Sequence, residues 1–230
     1  MAKKQSKFLK QQKIFAGVIA VVFLGVIGYA STLVFKDTPL GAFVEGEHYF
    51  IVDQPRRIRG DKIEVMEFFS YACAACYRFE PLINGWVADN QDAVKFVRSP
   101  LPANETWRRV TQHYYTMEKL GALEETHEKF FHAIHERKLN IGSPARLAEW
   151  ANDNDISGYE DAFGSADVQR KVTQADQLGK RMQVASVPTL LVQGKYLIRL
   201  NNSIGQARML DVLDYLLELE RTPKDTSQAM

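Results

Sequence analysis

Cysteine is scarce in this chain: there are two in 230 residues, Cys73 and Cys76, three positions apart. Domains stapled by structural disulfides spread their cysteines over distant loops, and a Cys-x-x-Cys loop closes too few residues to remove much entropy from the unfolded chain. A structural zinc site wants four ligands, and no second cysteine pair exists to supply them. Redox chemistry is what those exclusions leave. A surplus of basic charge on the body is missing as well. Lys3, Lys4, Lys7, Lys10 and Lys13 precede the first apolar run with no acid among them, so residues 36–230 carry 24 basic against 28 acidic side chains, a net of −4. A mildly acidic body presents no basic stripe, which sets nucleic-acid binding aside.

Charge of either sign is absent from Ile14 to Phe35, IFAGVIAVVFLGVIGYASTLVF. At about 1.5 Å per helical residue this run is just long enough for a hydrocarbon core of about 30 Å. The lysines in front fix its orientation by the positive-inside rule, leaving residues 1–13 cytoplasmic and the rest exported. Two readings stand. The run is an uncleaved transmembrane anchor, favoured because it continues past Ala30, or a signal peptide cleaved after Ala30, where Gly28-Tyr29-Ala30 has small residues at the right spacing.

Residues 36–48, with Pro39, Gly41 and Gly46, read as a tether. Tyr49–Val52 reads as a brief edge strand, and the dense apolar run Ile63–Phe69 as a buried one. Ser70–Cys73 turns into a helix whose apolar positions are Tyr77, Phe79, Leu82, Ile83 and Trp86, with a kink expected at Pro81. Lys95–Arg98 is a second core strand. From about 103 to 183 the pattern is helical, broken at Gly121, Gly142 and residues 152–158, with one helix starting at Ser143-Pro144. Val187–Gln193 and Tyr196–Leu200, joined at Gly194-Lys195, predict a hairpin. Residues 203–220 predict a closing amphipathic helix with Ile204, Leu210, Leu213 and Leu217 on one face, before a polar tail at 221–230. With the helical block 103–183 set aside as an insertion, residues 49–102 and 184–220 form βαβ…ββα, an α/β layer.

Cys73-Ala74-Ala75-Cys76 follows a strand and opens a helix. A thiolate there faces unpaired N–H groups and the positive end of the helix dipole, which favour the charged form. Cys73, at the exposed edge, is then the sulfur attacked by substrate thiolates, and Cys76 the resolving partner.

The run Glu67-Phe68-Phe69-Ser70-Tyr71-Ala72-Cys73-Ala74-Ala75-Cys76-Tyr77-Arg78-Phe79-Glu80 resembles the active-site segment of the DsbA family of bacterial disulfide oxidases. Ser186-Val187-Pro188-Thr189, followed by Val192-Gln193-Gly194-Lys195-Tyr196, resembles the family's second landmark, and Glu45-Gly46-Glu47-His48-Tyr49 its N-terminal strand entry. Order and spacing agree over roughly residues 43–220. The resemblance implies a thioredoxin-like domain with an inserted all-helical domain, here preceded by one N-terminal transmembrane helix. It implies a cis Val187–Pro188 bond beside the cysteine pair, with Val187, Pro188 and Thr189 meeting a bound substrate strand. It also implies that an acid at Glu67 lies under the active site and moves protons. Glu67 shares a pleat face with Ile63, Val65 and Phe69, so it is expected to be buried and paired, with Arg98 as the candidate partner; the alternative is that it reaches solvent at a sheet edge. Many relatives carry Pro-His between the cysteines. Ala74-Ala75 here removes an imidazole from beside the thiolate, so Cys73 is expected to be less acidic, and the disulfide less oxidising, than in those relatives.

Two further patterns read as structural. His132 and His135, with Glu128 one turn back, have metal-ligand spacing but no matching partner motif, so no metal is assigned. Trp107, Tyr114, Tyr115, Phe130 and Phe131 read as core of the insertion, with no cofactor required. The resemblance implies an oxidase for unfolded exported polypeptides in the periplasm, reoxidised by a membrane quinone-linked oxidase of the DsbB type, acting as a monomer. The protein would be tethered to the inner membrane through residues 14–35, or soluble in the periplasm if cleaved. A reductase or isomerase on the same fold, or a membrane-tethered chaperone without catalysis, are the other classes left open.

Overall fold

The structure, a computed structural model, describes residues 43–201 and 204–221. The expected membrane segment 14–35, most of the tether and the tail after Arg221 lie outside them. Among the described residues no helix is long and apolar enough to cross a membrane. The chain runs β1 (Phe50–Ile51), β2 (Ile63–Phe69), α1 (Ala74–Asn90), β3 (Val94–Pro100), α2 (Glu105–Lys119), α3 (Leu123–His135), α4 (Pro144–Asp153), α5 (Tyr159–Gly164), α6 (Ala166–Arg181), β4 (Thr189–Val192), β5 (Tyr196–Arg199) and α7 (Gln206–Arg221).

The five strands form one sheet in the order β1-β5-β4-β2-β3. β2 is parallel to β3, as a helical crossover requires, and antiparallel to β4, with Glu67 opposite both Arg98 and Leu190. β2 is therefore interior, flanked on both edges, and six of its seven residues are buried. The edge position allowed for Glu67 by the sequence does not occur. Side chains alternate across the pleat. Val65 joins Phe79, Ile83 and Trp86 of α1 and Met209, Val212, Leu213 and Leu216 of α7 in the core on one face, while Met66 and Phe68 pack with Leu191, Leu197 and Met182 on the other. A third core, inside the helical insertion, gathers Phe130, Phe131, Tyr114, Met117, Leu147 and Trp150 around Phe69 and Tyr71. Of the other two expected there, Tyr115 is half-buried at the margin of that core, and Trp107 is half-buried and not part of it.

Local chemistry explains most boundaries. Asn104 caps α2 by accepting from the Trp107 amide at 2.9 Å, and Ser143 caps α4 ahead of Pro144 in the first turn. Gly121 and Gly158 adopt left-handed φ values of 71° and 73° where helices break. α1 runs on through Pro81 without interruption. Its Leu82, expected inside, is exposed, and the buried face carries Glu80 in its place. In α7 the buried stripe is Met209, Val212, Leu213, Leu216 and Leu217; of the expected face Ile204, Leu213 and Leu217 are buried, and Leu210 is half-buried against the same core. The stretch read as the end of a tether is part of the domain: Phe43 is buried against the Tyr215 ring, and Glu45 bridges to Tyr49 around Gly46.

The hairpin turn falls one residue earlier than its sequence suggested. Gln193 and Gly194 both have positive φ, 50° and 64°, and the Lys195 amide closes the turn on the Val192 carbonyl at 2.9 Å. A Cβ added to Gly194 would lie 2.6 Å from the Arg56 carbonyl oxygen, which is backbone and cannot swing away. Gly194→Ala therefore combines a left-handed alanine with a backbone clash and is expected to cost about 2 kcal/mol. Urea unfolding checks this, and a midpoint equal to wild type would show that the turn relaxes freely.

Candidate active site

The site is built at the carboxyl end of β2. The chain leaves the sheet at Phe69, and Ser70 accepts the Cys73 amide in a short turn at 3.0 Å. Cys73 then takes an extended backbone, φ −96° and ψ 112°, as the N-cap of α1. Its Sγ stands where a serine or aspartate oxygen usually caps a helix and accepts the Cys76 amide at 3.2 Å. Both cysteines are present as thiols, Cys73 half-exposed and Cys76 buried. Hydrogen bonding from the Cys76 thiol, with the Cys76 and Ala75 amides and the nearby Arg78 charge, outweighs burial and lowers the Cys73 thiol to about 6. Burial moves Cys76 the other way, far above the ordinary thiol range. The two sulfurs are separated in acidity by position alone.

Val187 and Pro188 come from the opposite end of the sequence. The Val187–Pro188 peptide is cis, and the Val187 carbonyl lies 3.6 Å from Cys73 Sγ, accepting from the thiol when it is protonated. Thr189, which the resemblance suggested as a substrate contact, is fully buried. It pairs with Phe68 and Arg199 in the sheet, and its hydroxyl donates to the Ser186 carbonyl at 2.8 Å, so it holds the loop instead. Ala74 is exposed. The Ala75 carbonyl accepts from Gln206 of α7 at 2.5 Å, a clamp on the inter-cysteine turn that no motif announced.

Beneath the pair lies a buried charge cluster. Glu67 is fully buried, with no protein hydrogen-bond partner on either oxygen, and Arg98 Nε is 3.5 Å away. Burial, reinforced by the Glu80 charge and only partly offset by Arg98, raises the Glu67 carboxyl to about 8. Arg98 is thus near Glu67, as the sequence suggested, but its hydrogen bonds go to Glu80 Oε2 at 2.9 Å and Asn84 Oδ1 at 2.6 Å. Glu80 also accepts from Asn84 on Oε2 and from His127 Nε2 on Oε1 at 3.1 Å. Burial alone would push Glu80 up, but the His127 hydrogen bond and the Arg98 charge win and hold it below the usual carboxylate range. Sequence reasoning had not singled out Glu80 as a site residue. Its signal was an acid among the apolar positions of an amphipathic helix.

The insertion reaches this cluster through α3, whose face at positions 127, 131 and 135 lies against the active-site segment. His127 Nδ1 is 2.7 Å from the Tyr71 hydroxyl. His135 Nε2 donates to the Tyr71 carbonyl at 2.8 Å and its ring stacks on Tyr77 at 4.8 Å. His132, one member of the metal-like spacing, is exposed. Among the described residues no group of three candidate ligands forms a metal cluster. A groove of about 1130 Å³ opens between α1 and α3, walled by Tyr77, Pro81, Phe131 and His132.

Comparison with known proteins places this geometry. The DSBA-like thioredoxin domain family matches residues 64–217. The thiol:disulfide interchange protein DsbA of Azotobacter vinelandii is 33% identical over 213 residues, covering 91% of this chain and 97% of that one. Its counterpart in Pseudomonas aeruginosa PAO1 is 31% identical over 182 residues, 78% of this chain and 86% of that one. The crystal structure of Pseudomonas aeruginosa DsbA superimposes with a TM-score of 0.73 at 31% identity, covering 78% of this chain and 95% of that one. That of the oxidoreductase DsbA from Xylella fastidiosa gives 0.72 at 26%, covering 78% and 98%. The chain thus belongs to the DsbA-like thioredoxin domain family and is a thiol–disulfide oxidoreductase.

Proposed function

We propose that the enzyme donates disulfides to unfolded polypeptides in the periplasm through the Cys73–Cys76 pair, while tethered to the inner membrane by residues 14–35. The observation that carries the reading is the helix-capping sulfur: Cys73 is half-exposed and acidic, and Cys76 is buried and is not. A substrate thiolate attacks Cys73 Sγ in the disulfide form, and Cys76 leaves as a thiolate. Buried and strongly basic, Cys76 takes a proton, for which the Glu67 carboxyl is the donor; a negative charge on Glu67 would further disfavour the Cys76 thiolate. A second substrate thiolate then attacks the substrate sulfur of the mixed disulfide and displaces Cys73 as a stable thiolate, leaving an oxidised substrate and a dithiol enzyme. A DsbB-type oxidase restores the disulfide.

The acidity of Cys73 sets the direction. With a folded pKa of about 6, well below that of an ordinary thiol, the stabilisation of the dithiol form is fully present above the ordinary thiol range and is lost as pH falls through 6. At neutral pH most of the thiolate is already formed. That favours the reduced enzyme and makes the disulfide a ready donor. Val187 and Pro188 would receive the substrate strand at the Cys73 sulfur, with Thr189 fixing their loop. The Ala74-Ala75 turn supplies no imidazole, the feature that keeps a reductase or isomerase role as the second reading.

Thiolate absorbance of the reduced enzyme is expected to titrate with a midpoint near 6. Cys76→Ala should raise that midpoint by about one unit, because it removes the thiol donor; an unmoved midpoint would mean that the amides alone hold the thiolate. In glutathione buffers the Cys73–Cys76 pair is expected to equilibrate at a poise well above that of the cytosolic pool. A strongly reducing value would assign the enzyme to the reductases, and no reversible disulfide would end the enzymatic reading. Carbonate washing of cell membranes should leave the full-length chain in the pellet; release of a chain beginning after Ala30 would establish cleavage.

A further inference from the structure

His127 does not touch the cysteines. It comes from the inserted domain, yet it is buried and bonded on both ring nitrogens to groups of the active-site segment, Tyr71 on one side and Glu80 on the other. Its protonation state follows from its partners. An ionised Glu80 can only accept, so His127 Nε2 carries the hydrogen, and the bare Nδ1 accepts from the Tyr71 hydroxyl. The chain therefore runs in one direction: Tyr71 O–H to His127 Nδ1, His127 Nε2–H to Glu80 Oε1, with Arg98 and Asn84 donating to Glu80 Oε2. Arg98 then turns its Nε toward Glu67. Besides these, the titratable and charged groups facing His127 are Tyr114 from α2 and Glu128 on its own helix.

We propose that His127 is a positioning residue for disulfide exchange: by fixing the Glu80 carboxylate on Arg98 it sets the charge against which buried Glu67 takes up and releases the proton of Cys76. The idea rests on the reading of Glu67 as the proton partner of Cys76. Its physical content is a division of one arginine between two carboxylates. Glu80 accepts His127, Asn84 and Arg98 together, so it stays ionised and holds the guanidinium by its outer nitrogen. Glu67 keeps only the weaker 3.5 Å approach of Nε and feels the full repulsion of Glu80. Remove His127, and Glu80 loses a donor and becomes easier to protonate. Arg98 can then turn to Glu67, and Glu67 becomes a stronger acid and a weaker base.

The step to measure is resolution of a preformed mixed disulfide between Cys73 and glutathione, on the full-length chain in detergent. There Cys76 gives its proton to Glu67, its sulfur attacks Cys73 Sγ, the Cys73–Cys76 bond forms, and glutathione leaves as a thiolate. In wild type the rate is expected to rise with pH along the ionisation of Glu67, and Glu67→Gln should abolish that rise. His127→Phe is expected to move the midpoint about half a unit to one unit toward acid and lower the plateau several-fold, since a weaker base removes the proton less well. His127→Gln, whose amide can still donate to Glu80, should recover most of both. Tyr71→Phe, which keeps the ring in the core and removes only the donor to Nδ1, should shift the midpoint in the same sense by less. It also keeps the test alive if His127→Phe does not fold.

A His127→Phe profile with the wild-type midpoint, or a loss of rate with no change of midpoint that His127→Gln does not rescue, would overturn the proposal while leaving Glu67 in place. If Glu67→Gln leaves the wild-type rise intact, the proton role of Glu67 falls and the proposal falls with it.

Discussion

The architecture around the cysteines is organised by the hydrogen bond from the Cys76 amide to Cys73 Sγ. A helix start leaves its first amides without partners, and most proteins answer with an oxygen. Here the answer is a sulfur whose charge state the reaction changes. The sulfur has to sit at the N-cap, so the chain must leave β2 at Phe69 and turn within four residues. The second sulfur, three residues on, is necessarily inside the helix and out of water. The difference in acidity between two chemically identical side chains follows from that single placement, with the cis Val187–Pro188 loop and the Gln206 clamp holding the turn from either side.

Placing a carboxylate under this pair creates an electrostatic problem that the insertion helps to solve. Glu67 lies in an interior strand, and an isolated charge there is costly. Arg98 from β3 could have formed a simple buried pair with it. Instead Glu80 and Asn84 of α1 draw the guanidinium toward themselves, His127 of α3 bonds the other oxygen of Glu80, and burial beside the Glu80 charge raises the Glu67 carboxyl. The inserted helices therefore do more than enlarge the domain. Their aromatic core gathers around Phe69 and Tyr71, and α3 supplies His127, whose Nε2–H donates to the Glu80 carboxylate under the active site.

Much of this was legible in the residues. A dense apolar run located β2 to the residue, Ser143-Pro144 the start of α4, and glycine the breaks at Gly121 and Gly158, because those signals are local. Cys73 and Cys76 were legible because two cysteines at that spacing between a strand and a helix have few other uses. What escaped was set by contacts remote in sequence. Glu80 drew no role until β3 and α3 closed over it, and Leu82 looked buried until they left it outside. His127 and Gln206 carry no motif, and their parts come from partners 47 and 131 residues away. Thr189 matched a family landmark, yet the sheet it enters buries it.

The order of strands in the sheet has a consequence for the birth of the molecule. β2, α1 and β3 are made first, the helices of the insertion next, and only then β4, which must return across more than a hundred residues to lie against β2. A contact that closes so long a loop forms late. Until β4 docks, one flank of β2 is an open edge, Val187 is not beside Cys73, and Gln206 does not hold the turn. For that interval a protein whose trade is pairing other chains' cysteines carries two unguarded thiols of its own. Having no third cysteine, it has no wrong partner within itself to find.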